Sequence, residues 1–188
     1  AQCSGSIVNY ANVARDVSVS PLTVQTYFEI LDETMIGLIL PAFHQSIRKR
    51  QRQNPKFYFY DNGVWRAINR TLTVDLAPHT YAYGVAFEHF IINEINRLSS
   101  YRGNDYQLSY LRTKDGVEID LIIERPGLPL ALIEIKSSDS IREDSVAALN
   151  KISMSFENAD AFCLSLDPLA KRFGKVNCVH WQQGLKEL

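Results

Sequence analysis

A mixed α/β (α+β) chain in two parts is predicted by the order of its apolar patterns. Two short helical patterns come first, followed by strand, basic loop and strand; a long amphipathic helix sits near the middle; three strand patterns, a helix and two more strands close the chain. The first part, residues 1–68, has the order of a winged helix-turn-helix domain. The second, residues 69–188, has the order of a mixed central sheet flanked by helices. With 46% of its 188 residues hydrophobic and 22% charged, the chain can bury one large or two small cores.

Tyr10, Val13, Ala14 and Val17 recur at helical spacing until Ser18-Val19-Ser20-Pro21 interrupts them. Ser20 can cap a second helix and Pro21 can occupy its first position, where no amide hydrogen is needed. That helix runs from about Pro21 to Glu33 and is expected to bury Leu22, Phe28 and Leu31. A strand over residues 35–40 is stopped by Pro41, and an aromatic strand over residues 56–60 is stopped by Asp61-Asn62-Gly63. Between them Arg48, Lys49, Arg50 and Arg52 put four cations in five residues. Such a cluster suits a phosphate-contacting wing and equally a solvated hairpin tip.

The polar stretch 69–83 reads as a connection. A helix over residues 84–98 carries Phe87, Ile91, Ile95 and Leu98 on one stripe, with Glu88 at its edge. Strands are expected over 108–113, 117–124 and 130–136, joined by turns at Lys114-Asp115-Gly116 and Arg125-Pro126-Gly127-Leu128-Pro129. A helix near 141–154 and strands at 159–164 and 175–180 follow.

Net charge is −1, but residues 1–70 carry +3 and the remainder −4, which makes the first part the candidate polyanion binder. Cys3, Cys163 and Cys178 lack metal-ligand spacing and read as buried or free thiols of a reducing, cytoplasmic compartment. No apolar run reaches the ~18 residues of a membrane span. The start at Ala1 is compatible with a piece of a longer protein. His44, His79, His89 and His180 are dispersed without zinc-ligand spacing, and no Ser-His-Asp or Cys-His motif is present.

Chemistry concentrates in two strands. Alternation puts Glu118 and Asp120 on one face of the first, with Ile119, Leu121 and Ile123 on the other. In the next strand Glu134 and Lys136 share a face and Ile133 and Ile135 take the core side. If these strands pair across the Arg125 turn, two carboxylates and a lysine converge among apolar residues, where they need a partner or a metal. Asp120, Glu134 and the Ile135 carbonyl would make a hard oxygen site for magnesium or manganese, and Lys136 could orient the attacking water. Glu-x-Lys alone is also what an ordinary amphipathic strand produces. The acid one hairpin upstream and Glu88 on the preceding helix make it the pattern of a PD-(D/E)xK nuclease-like site.

Pro55-Lys56-Phe57-Tyr58-Phe59-Tyr60-Asp61-Asn62-Gly63, Gly84-Val85-Ala86-Phe87-Glu88, Tyr110-Leu111-Arg112-Thr113, Gly116-Val117-Glu118-Ile119-Asp120 and Ile133-Glu134-Ile135-Lys136-Ser137 together resemble the C-terminal region of a bacterial and archaeal family of AAA+ ATPases. In that family a P-loop ATPase module precedes a winged helix and a restriction-endonuclease-like domain of uncharacterised function. The resemblance implies that Asp120, Glu134 and the Ile135 carbonyl hold the metal, that Lys136 positions water and that Glu88 supports the site. Arg112 falls in a matching segment, as a phosphate contact or a partner of Glu118. No G-x-x-x-x-G-K-[ST] is present, so ATP would enter only through a module absent from this chain. The expected function is a nucleic-acid-processing fragment acting on DNA or RNA with magnesium. The alternative is a catalytically silent nucleic-acid- or protein-binding module that regulates an attached ATPase.

Overall fold

The computed structural model describes residues 1–44 and 53–188, in two compact units, Ala1–Asp75 and Leu76–Leu188. Arg48, Lys49, Arg50 and Arg52 lie outside the described residues. Among the described residues no helix is long and apolar enough to cross a membrane.

The first unit contains β1 (Ser6–Ile7), α1 (Tyr10–Asp16), α2 (Pro21–Glu33), β2 (Gly37–Leu40), β3 (Lys56–Phe59) and α3 (Asn62–Ile68). Its antiparallel sheet has the order β1-β3-β2. α2 starts as its sequence predicts, with Ser20 accepting the Thr23 amide and Pro21 in the first turn. Its core side differs from expectation. Val24 is 3% exposed whereas Leu22, expected inside, is 71% exposed. Val24, Phe28 and Leu31 follow one another by four and three residues and form a single stripe, and Leu22 lies about 200° around the helix from Val24. Phe28 meets Phe57 edge to face at 4.9 Å, and Phe57 and Phe59 pack with Val8 as the core.

The strand expected from Met35 begins two residues later, because Met35 has φ 57 and turns the chain out of α2. Gly37 then passes so close to the Phe57 ring that any side chain there would collide with it. Asp61-Asn62-Gly63 does end β3, but by starting a helix absent from the sequence reading: the Asp61 carboxylate accepts the Val64 amide at 2.8 Å and caps α3.

The second unit contains α4 (Tyr81–Tyr101), β4 (Gln107–Arg112), β5 (Glu118–Glu124), β6 (Leu130–Lys136), α5 (Glu143–Ser153), β7 (Ala159–Ser165), β8 (Lys171–Phe173), β9 (Val176–His180) and α6 (Trp181–Glu187). Its mixed sheet has six strands in the order β4-β5-β6-β7-β9-β8. β4, β5 and β6 are antiparallel, β6, β7 and β9 run parallel, and β8 returns antiparallel at the edge. α4 is longer than expected because Thr80 caps it, its hydroxyl accepting the Tyr83 amide. Phe87, Ile91 and Ile95 are buried along its apolar stripe. The Arg125 turn is clamped: the guanidinium donates to the Pro129 carbonyl and to Asp160 Oδ2 at 2.6 Å. β1 and β8, of two and three residues, are too short to show a period, and α6 has no counterpart in the sequence reading. α6 lies where it does because Gly184 lets its backbone touch Leu164 and Val179.

Candidate functional site

β5 and β6 pair through Leu121↔Ile133, Ile122↔Leu132 and Ile123↔Ala131, and their ladder stops there. On its other side β6 stays paired with β7 as far as Lys136↔Ser165. Where the β5–β6 ladder ends, the Asp120 carboxylate takes over as acceptor: Asp120 Oδ2 receives the Ile135 N–H at 2.8 Å. In an extended strand a residue's N–H and C=O point to the same neighbour, so the Ile135 carbonyl also faces the β5 side. The strand end thereby carries Asp120, Glu134 and the Ile135 carbonyl together, the three expected oxygen donors.

Lys136 Nζ lies 2.6 Å from Glu134 Oε1; the Glu134 side chain is 14% exposed and that of Lys136 38%. Burial holds the Glu134 carboxyl above the ordinary range; the Lys136 ammonium pulls it back, and Glu88 and Glu118 push it up again by repulsion. Burial works against the charge of Lys136, yet Glu134 and then Asp120 leave it above the ordinary lysine value. The two carboxylates thus favour the ammonium form of Lys136.

Thr80, Tyr81, Gly84, Val85 and Glu88 of the α4 start face Ile135, Lys136, Ser137 and Ser138 across a cleft of about 480 Å³. Asp120 and Glu134 do not line this cleft but are bonded to two residues that do. The structure thus brings Glu88, Asp120, Glu134, Ile135 and Lys136 to one end of the sheet. Arg112 stands opposite Glu118 in the β4–β5 register, exposed. His89 is fully buried in α4, and His180 caps α6. Among the described residues no three His, Cys, Asp or Glu side chains form a metal cage by themselves. Two carboxylates and a main-chain oxygen could serve as hard ligands of the kind magnesium and manganese take.

Four neighbours were not singled out as site residues from the sequence. Glu118 acts on Glu134 through charge, Ser137 and Ser138 form a cleft wall, and Cys163 stands beside Glu134 in the β6–β7 register. Glu118 was legible from alternation with Asp120. Cys163 was not, since nothing local in sequence sets the register of a parallel crossover.

Residues 83–182 match a domain of unknown function, DUF4143, and residues 1–75 match a second domain of unknown function, DUF8612. Uncharacterised proteins of Mycobacterium bovis and Mycobacterium tuberculosis are each 29% identical over 150 residues, covering 77% of this chain and 32% of the relative. The chain thus spans about a third of the length of the curated relatives it matches. No solved structure matches it. Matched over just more than half of its length, the chain belongs to the DUF4143 family.

Proposed function

We propose that the second unit is a metal-dependent phosphodiesterase of the PD-(D/E)xK type acting on nucleic acid, within a longer protein of the AAA+ ATPase kind. One observation carries this reading: Asp120 is bonded to the Ile135 amide inside the Glu134-Ile135-Lys136 segment, where the β5–β6 ladder ends. Asp120, Glu134 and the Ile135 carbonyl would hold magnesium or manganese. A metal held there would polarise the scissile phosphate and make water more acidic. Lys136, kept protonated by its carboxylate neighbours, donates to the attacking water or to the phosphate oxygens as charge develops on them. Glu88 supports the site from the cleft wall. The test is cleavage of varied DNA and RNA substrates with magnesium or manganese. Loss of cleavage in Lys136→Ala, with an unchanged circular dichroism spectrum, supports the reading; wild-type protein that leaves every substrate intact sinks it.

A second reading, a protein-docking module regulating an ATPase, is favoured by α2. That helix carries no Lys or Arg, holds Glu29, Asp32 and Glu33, and exposes Leu22, Tyr27 and Ile30. An acidic, apolar helix is unsuited to phosphate contact and suited to an apolar protein partner. The densest cluster of cations in the first unit, Arg48, Lys49, Arg50 and Arg52, is then the candidate for any phosphate contact.

A further inference from the structure

Across one face of the six-stranded sheet the registers align Glu134 of β6, Cys163 of β7, Cys178 of β9 and Lys171 of β8. Cys163 and Cys178 are direct partners, 0% and 1% exposed, and both are free thiols. Residues in register on parallel strands send their side chains to the same face. Paired strands run about 4.8 Å apart, inside the roughly 4.4–6.8 Å between α-carbons that a disulfide spans. Two thiols are thus held side by side, with a lysine on the far flank of one and a carboxylate on the far flank of the other.

We propose that Cys163 and Cys178 are an oxidation site: a dithiol that a hydroperoxide converts into an intrachain disulfide, pinning β7 to β9 behind Glu134. Cys178 is the attacking sulfur. Its neighbour Cys163 holds the Cys178 thiol below the ordinary value, burial opposes this, the Lys171 ammonium adds to it and the Asp167 carboxylate works against it. Lys171 is itself fixed by Asp167 Oδ2 at 2.6 Å and the Ile141 carbonyl at 3.1 Å. β8 is a three-residue strand at the edge of the sheet, and edge strands open locally more readily than central ones.

The chemistry balances as a two-electron oxidation. The Cys178 thiolate attacks a peroxide oxygen, an S–O bond forms, the O–O bond breaks, and the departing hydroxide takes up a proton to leave as water. Cys163 then attacks the sulfenic sulfur. The S–S bond forms, the S–O bond breaks, and the second water leaves with the Cys163 proton. Two thiols and one hydrogen peroxide give one disulfide and two waters. This step needs neither a divalent metal nor phosphodiester cleavage, so it stands apart from the activity proposed above.

The test uses the Cys3→Ser chain, which retains only these two thiols, treated with hydrogen peroxide in native buffer. The expected result is a mass loss of about 2 Da, a cross-linked peptide joining residues 163 and 178, and loss of both thiols to Ellman's reagent after unfolding, restored by dithiothreitol. Adding Cys178→Ala abolishes the 2 Da loss. An unchanged mass with both thiols still titratable, or gains in steps of about 16 Da without the 2 Da loss, overturns the proposal.

Discussion

Asp120 Oδ2 accepts the Ile135 amide at 2.8 Å, so a side chain substitutes for a strand carbonyl at the point where β5 and β6 stop pairing. The carboxylate has two separable roles, holding the strand end and presenting charge. Asp120→Asn keeps an oxygen acceptor for the amide and loses only the charge. Its urea midpoint should stay near wild type while manganese affinity, read by calorimetry, falls more than about tenfold, the loss seen when even outer partners of a metal are removed. Asp120→Ala should also cost about 1–3 kcal/mol, because the Ile135 amide is left unsatisfied in a residue only 7% exposed. Equal manganese binding by Asp120→Asn and wild type would remove Asp120 from the metal site.

Lys136→Met leaves the Glu134 carboxylate without its 2.6 Å partner. Glu134 already has a folded-state pKa raised by burial, so folding favours its protonated form. That advantage is fully present below the unfolded value and is lost as pH rises through the folded one. Removing the ammonium raises the folded value further. The variant should be less stable than wild type at neutral pH by on the order of 1–3 kcal/mol, below the figure for a fully buried pair because Lys136 is partly solvated. The gap should narrow toward pH 4, and a gap unchanged between urea melts at pH 7.5 and pH 4.5 would contradict this account.

Much of the second unit was legible because alternation and turn residues are local signals. Asp120, Glu134 and Lys136 could be placed on faces from their spacing, and Lys114-Asp115-Gly116 and the Arg125 turn bounded the strands. The contacts that make the site were not legible. Asp120 reaches Ile135 because the ladder stops early, and Cys163 meets Glu134 through a parallel register spanning α5 and Cys178 through a second one spanning β8. α3 was hidden by Asn62-Gly63, which has the composition of a turn but here follows a capping Asp61. Leu22 was placed inside α2 because hydrophobicity alone does not tell which of two apolar faces meets a core.

Asp167 ties the loop after β7 to its surroundings. Its carboxylate accepts from Lys171 at 2.6 Å and from the Ile141 and Leu169 amides, which together hold its pKa down from 3.8 to about 2. The residue is 3% exposed, so solvent screens these bonds little. A depressed carboxylate contributes stability above its unfolded pKa and loses it as pH falls through the folded value. Asp167 should therefore supply stability on the order of 1–2 kcal/mol near neutrality, lost progressively between about pH 5 and pH 1. Asp167→Asn should be destabilised at pH 7, and its deficit against wild type should shrink in that acid window. A deficit that grows as pH falls would reverse the sign of this argument.

Within the first unit, the basic segment and the exposed face of α2 should respond differently to substitution. Four cations at Arg48, Lys49, Arg50 and Arg52 can each release a counterion, so replacing them with Gln should flatten the log–log salt slope of DNA binding by up to about 3.6. Leu22→Gln and Ile30→Gln lie on the acidic, exposed face of α2, 71% and 46% exposed in the wild type. These two changes should leave the slope unaltered and stability within about 0.5 kcal/mol of wild type. Fluorescence anisotropy across a salt series reads the slope, and urea melts read the stability. If the α2 variants weaken DNA binding as much as loss of the four cations, the apolar face belongs to a nucleic-acid interface and the protein-docking reading of α2 fails.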